Sequence, residues 1–218
     1  MSDVKTKQLL TDPLSDNNPI TVQVLGICSA LAVSGNIKNA LVMGVAVTMV
    51  AAFSNLTISS LRNYIPSRIR MIVQLVVIAF LVTLVSIFLK AFSYDLSKEL
   101  SVYIGLIITN CIIMGRLEAF ALANKPMPAF LDGIGNGLGY GLVLLIVGAI
   151  RELFGTGALL GFTIFGEEAK HGAEFLKHGF FNDFFHNGLM VLPISSIFIL
   201  GILIWIQRSR NTELVDIS

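Results

Sequence analysis

The sequence predicts an all-α polytopic membrane protein, with six transmembrane helices in two inverted three-helix repeats and the first and fourth helices short or broken. Three observations carry that expectation. The chain of 218 residues is 55% hydrophobic and 13% charged, against about 25% charged in an ordinary soluble domain. Its mean hydropathy is +0.80. Its two cysteines, Cys28 and Cys111, lie near the middle of two apolar stretches, Pro19–Ser34 and Val102–Gly115. Each stretch holds about 15 residues, where a regular spanning helix needs about 20.

In chain order, Met1–Asn18 is a polar tail without the apolar run and small-residue cleavage site of a signal peptide. Asp16-Asn17-Asn18-Pro19 is a helix-start signal, capping residues followed by proline. The first cysteine segment stops at Gly35-Asn36. A full-length span begins at Ala40 and reaches Leu61. Arg62, Arg68 and Arg70 form a basic turn with Pro66 as breaker. Met71–Leu89 is the third span, and Tyr94–Ser101 a polar connection. The second cysteine segment ends at Gly115-Arg116, and Leu117–Ala123 continues it as helix beyond the arginine. Lys125-Pro126-Met127-Pro128 is a break. The fifth span, Ala129–Ile150, opens with the glycine run Asp132–Gly141. Arg151–Asn187 holds no spanning run, Leu189–Ile206 is the sixth span, and Arg208 and Arg210 close it. The division is a polar tail at 1–18, a single membrane domain at 19–206 with halves at about 19–92 and 101–206, and a C-terminal tail at 207–218.

Charge placement orients the chain. With the N-terminus inside, nine basic residues face the cytoplasm (Lys5, Lys7, Arg62, Arg68, Arg70, Arg116, Lys125, Arg208, Arg210) and six face outward (Lys38, Lys90, Lys98, Arg151, Lys170, Lys177). Both termini are then cytoplasmic. Short segment, full span, full span, and the same again make the second half run opposite to the first. That is an inverted repeat, in which discontinuous helices meet at the midplane. At about 1.5 Å per residue, Cys28 lies about 12 Å beyond Ile20 and Cys111 about 14 Å beyond Val102. Half a hydrocarbon core is about 15 Å, so both thiols reach a common depth near the midplane.

Three readings of the thiols stay open: metal ligands, a disulfide, or inert buried residues. An iron–sulfur cluster normally takes four cysteine ligands, so the metal reading requires a partner that brings two more. Gly26, Asn110 and Gly115 flank the cysteines as helix interrupters. The glycine run contains no G-x-G-x-x-G match and leads into an apolar span, which excludes the dinucleotide fingerprint. On a helix Gly133, Gly137 and Gly141 share one face and Gly135 and Gly139 another, a small-xxx-small packing pattern. Arg116, Glu118, Asp132, Arg151 and Glu152 fall at span ends and read as paired or snorkelling charges. His171, His178 and His186 lie in an aromatic-rich stretch that fits an interfacial amphipathic helix better than a metal site. A net charge of +1 gives no reason to expect nucleic acid.

Five motifs together resemble a known family: Asp16-Asn-Asn-Pro19, Leu25-Gly-Ile-Cys-Ser-Ala-Leu-Ala-Val33, Thr109-Asn-Cys-Ile-Ile-Met-Gly-Arg-Leu-Glu-Ala-Phe-Ala121, Asp132–Gly141 and Arg151-Glu-Leu-Phe-Gly155. They are similar to the membrane subunits shared by the sodium-translocating NADH:quinone oxidoreductase and the Rnf complex, with Ser29-Ala30 and the GNGLGYG run closer to the D-type subunit of the former. The segment Glu167–His186 matches no motif of that family.

The resemblance implies a six-helix inverted repeat paired with a homologous E-type subunit of opposite topology in a bacterial inner membrane. It implies a [2Fe–2S] cluster held by Cys28 and Cys111 together with two cysteines of that partner. The cluster would relay electrons from the NADH-oxidising F subunit towards downstream FMN and ubiquinone. FAD, FMN, riboflavin and NADH would be carried by other subunits, the partners would be subunits A, B, C, E and F, and this chain would not be catalytic alone. The competing readings are an E-type subunit of the Rnf ferredoxin:NAD+ complex, a small inverted-repeat ion transporter, and a purely structural membrane subunit. The transporter reading predicts carboxylates or hydroxyls at mid-span, and the sequence offers Thr109 and Asn110 but no midplane acid.

A cysteine introduced at Asn63 tests the orientation. It should resist an impermeant thiol reagent in intact cells and react in inverted vesicles; labelling of intact cells reverses the topology.

Overall fold

The computed structural model describes residues 13, 17–66, 68–92, 103, 105–156, 158, 159, 162, 163 and 193–210. Their helices are α1 (Ile27–Val33), α2 (Ile37–Leu61), α3 (Arg70–Phe92), α4 (Cys111–Arg116), α5 (Pro126–Thr156) and α6 (Pro193–Arg210). Three of these, α2, α3 and α5, are long and apolar enough to cross a membrane. A two-residue antiparallel pair, Ala158 opposite Thr163 and Leu159 opposite Phe162, follows α5. It is the only strand pairing among the described residues, and the fold is otherwise helical. The three histidines, Glu167–His186, the connection Tyr94–Ser101 and the C-terminal tail from Asn211 lie outside the described residues.

The spine is the antiparallel pair α2 and α5. A Cβ built on Gly133 would stand 2.8 Å from Ala51 O, one on Gly137 2.5 Å from Thr48 Cα, and one on Gly141 3.5 Å from Gly44 Cα. The partner position runs down α2 as the glycine number rises along α5, so the helices are antiparallel. Small residues permit this approach in lipid, where dispersion and backbone proximity replace the hydrophobic drive between helices. The glycine face expected from the sequence therefore packs inside this chain. Gly139, on the other face, lies against the N-terminal segment: its carbonyl accepts from Asn18 Nδ2 at 3.1 Å.

On α2 the buried residues Met43, Val47 and Val50 look inward, while Leu41, Val45, Met49 and Phe53, four apart, form an exposed apolar stripe. Within the most apolar window of each helix, 56% of α2 and of α5 is buried but only 17% of α3. α3 is thus a peripheral helix that touches the rest mainly through Gln74, Ile78 and Val82.

Helix ends depart from expectation in instructive ways. α5 starts at Pro126, so the break lies before the two prolines. Both occupy the first turn, where no intrahelical acceptor awaits an N–H and a fixed φ suits the helix. The expected start at Asn18-Pro19 yields a turn only: Asn18 Oδ1 accepts from Ile20 N at 3.0 Å, and α1 waits until Ile27. Beyond Arg116 the chain does stay helical, but as a π-helical turn over Leu117–Ala121. The N-terminus of α2 is closed from outside. Glu152 Oε2 accepts from Ile37 N at 2.9 Å, and Arg151 donates to Ser34 Oγ at 2.8 Å, so the charged pair at the end of α5 holds the α1–α2 corner.

Leucine at Gly137 should separate α2 from α5, because even its Cβ would overlap Thr48; overpacking of this kind costs about 1–3 kcal/mol or more. Thermal unfolding in detergent and the subunit ratio of the purified assembly should both show the loss. Gly201→Ala, at a position facing open space, should leave them unchanged. A Gly137→Leu protein that purifies with normal stability and ratio defeats the spine assignment.

Candidate functional site

Two interrupted helices meet beside the middle of α5. In the first, the chain turns at residues 18–23 and passes through Val24 at φ 57° and Gly26 at φ 77° before entering α1. A β-branched residue at positive φ is strained by about 1–3 kcal/mol and persists only where its surroundings hold it. Glycine is required at 26 for a second reason: a Cβ there would overlap Ile112 Cδ1. In the second, residues 105–108 are helical, Thr109 turns, and Asn110 is extended before α4 begins at Cys111. Asn110 Oδ1 accepts from Ile112 N at 3.2 Å and caps the new helix.

The two breaks bring the two cysteine-bearing segments together, and Cys28 and Cys111 are both free thiols. The Gly26 N–H donates to Cys111 Sγ at 2.8 Å, so backbone of one break contacts the sulfur of the other. Beneath them Ser29, Asn110 and Tyr140 are fully buried. Tyr140 donates to Ser29 Oγ at 2.8 Å, Asn110 Nδ2 donates to the same oxygen at 3.4 Å, and Ser29 donates to Gly26 O at 3.0 Å. Tyr140 stands at the centre of the 31-residue α5, which places the thiols about halfway along the longest helix.

Cys28 is exposed and Cys111 half-buried, so the pair opens to the surface of the chain. Among the described residues no set of three or more histidine, cysteine or acidic side chains could hold a metal ion. Two free thiols on touching helix breaks, with a backbone N–H on one sulfur and the other exposed, have the chemistry of half a four-thiolate shell.

The charges form a second polar layer. Arg116 makes a two-point ion pair with Asp132, Nε to Oδ2 at 2.9 Å and Nη2 to Oδ1. Its guanidinium also stands 5.5 Å from the Phe120 ring centre. Asn136 donates to Asp132 Oδ1 at 3.0 Å. Arg70 pairs with Glu118, which also accepts from Gln74 at 3.1 Å. The paired role expected of these charges is what the structure contains.

Sequence reasoning singled out Cys28, Cys111, Gly26 and Asn110; it missed Tyr140 and the hub role of Ser29. Tyr140 had only one available signal, a phenol set among glycines inside an apolar span.

A family model described as Rnf-Nqr subunit, membrane protein, matches residues 6–204. The chain belongs to the Rnf-Nqr family. Family members similar to it include a protein of Psychromonas ingrahamii, 53% identical over 210 residues that cover 96% of this chain and 95% of the relative. Proteins of Shewanella sp. strain ANA-3 and Shewanella baltica strain OS155 are each 54% identical over 217 residues, 99% of both chains. All three are named as the D-type subunit of a Na(+)-translocating NADH-quinone reductase.

Asp132 is 2% exposed, and breaking a buried pair by removing one partner costs about 3–5 kcal/mol. Asp132→Asn should therefore lower the unfolding temperature sharply, and Arg116→Met in the same chain should recover most of the loss. Additive losses in that double-mutant cycle would show that the pair is not coupled.

Proposed function

We propose that this chain is a D-type membrane subunit of a Na+-translocating NADH–quinone reductase of the bacterial inner membrane, with both termini in the cytoplasm. It supplies Cys28 and Cys111 as half of the ligand set of a [2Fe–2S] cluster, and a homologous E-type subunit supplies the other half. The observation that carries this reading is the contact between the two cysteine-bearing helix breaks, Gly26 N–H on Cys111 Sγ at 2.8 Å, with Cys28, two residues after Gly26, exposed. The same meeting supports an inverted repeat of residues 19–92 and 101–206, because each half contributes one break and one thiol.

When bound, such a cluster supplies a one-electron relay between the NADH-oxidising and quinone-reducing subunits. The chain's own residues orient and insulate. Gly26 N–H donates to Cys111 Sγ and fixes the direction of that side chain. Ile112, next to Cys111 and packed against Gly26, is fully buried and keeps water from that side. The breaks let two α-helical segments end at membrane depth, where irregular backbone is tolerated only when it lies within protein.

Serine at either cysteine replaces a soft thiolate with a hard oxygen, a poor ligand for iron. Cys28→Ser and Cys111→Ser should each lose the cluster iron and the NADH:quinone activity, while NADH still reduces the flavin of the peripheral subunit. Either mutant that keeps full iron and the full quinone reductase rate would falsify the ligand assignment.

A further inference from the structure

We infer that the Tyr140 hydroxyl is a positioning group that fixes the spacing of Cys28 and Cys111 by holding the two helix breaks through Ser29. The geometry rests on the valence of one oxygen. A serine hydroxyl has one donor and two acceptor sites. Ser29 uses its donor on Gly26 O at 3.0 Å, and accepts from Tyr140 at 2.8 Å and from Asn110 Nδ2 at 3.4 Å. All three sites are filled, and the residue is fully buried. The two thiol-bearing segments are thereby linked twice: through Ser29 to Asn110, and through Gly26 N–H to Cys111 Sγ. Tyr140 is the one member of this ring that comes from α5, the spine, and its Cε2 lies 3.4 Å from the Cβ position of Gly26. Removing its hydroxyl empties one acceptor site of a buried oxygen in an apolar surrounding, which favours rearrangement of the hub. Tyr140 does not touch either sulfur by a bond in this ring, so it acts on the thiols through Ser29 and Gly26.

The consequence for a bound cluster rests on the ligand reading above; the consequence for thiol spacing does not. The test therefore has two arms. In membranes containing the full chain without its partner subunits, copper(II) phenanthroline oxidises Cys28 and Cys111 to an intramolecular disulfide. The two thiols lose two protons, and their two electrons pass to copper. Tyr140→Phe, which keeps the ring, should slow closure about tenfold. Ser29→Ala should slow it comparably, and the double mutant should be no slower than Ser29→Ala. Should Tyr140→Phe fail to insert, Ser29→Ala carries the same comparison with wild type. Closure at the wild-type rate in the inserted variants, or fully additive slowing in the double mutant, overturns the inference.

In the intact complex, Tyr140→Phe should retain its subunits and shift the midpoint potential and the electron paramagnetic resonance signal of the iron centre; an unaltered potential and signal overturn it. A slowed disulfide, found together with a wild-type complex that holds no iron, supports the positioning role and overturns the ligand reading instead.

Discussion

A helix interrupted inside an apolar protein interior leaves backbone N–H and C=O groups that no water can satisfy, and much around the thiols follows from that constraint. At the first break the Asn18 and Ser29 side chains take up freed groups, and at the second Asn110 does. These side chains are polar and buried, so each needs partners of its own. Their partners come from one another and from α5. The polar seam beneath the thiols thus lies in an interior whose apolar residues include Ile20, Ile112, Ile113 and Leu144, all fully buried. A seam of this kind gives irregular backbone a defined shape within an apolar environment.

The seam requires a rigid wall, and α2 with α5 provides it. Backbone-to-backbone approach at Gly133, Gly137 and Gly141 leaves little room for sliding. From that wall α5 projects different chemistry on its other sides: Asp132, which accepts from Asn136, towards Arg116, and Tyr140 towards Ser29. The i, i+4 spacing of Asp132, Asn136 and Tyr140 sets the ion pair and the thiol hub along one stripe of a single helix. The glycines and the polar stripe are therefore two functions of one helical period.

Much of this was legible in the sequence. Two cysteines in two apolar runs too short to cross, each beside a helix interrupter, point to a shared depth and to discontinuous helices. The glycine spacing points to close packing. What escaped has physical reasons. Hydrogen bonds from Tyr140 to Ser29 and from Asn18 to Gly139 join positions 111 and 121 residues apart, and local pattern carries no trace of such pairs. The Pro126-Met127-Pro128 run reads as a breaker because proline ends helices; at the first turn its missing N–H costs nothing. The π-helical turn after Arg116 has a bond from Leu122 N to Leu117 O at 3.2 Å. It is invisible in a pattern that suits any helix, yet it accompanies the Arg116 side chain that reaches Asp132.

The corner between α1 and α2 is tied to Arg151 and Glu152, residues 117 and 115 positions downstream. A ribosome that has delivered α1 and α2 to the membrane has not yet made the groups that seat them. Ser29, Ser34 and the first N–H of α2 wait for α5 to emerge before they find Tyr140, Arg151 and Glu152. The short first helix is synthesised first, yet these partners exist only once α5 has been made. A chain released before α5 would present its thiol-bearing segment to the cell's membrane quality-control proteases with its polar groups unmet.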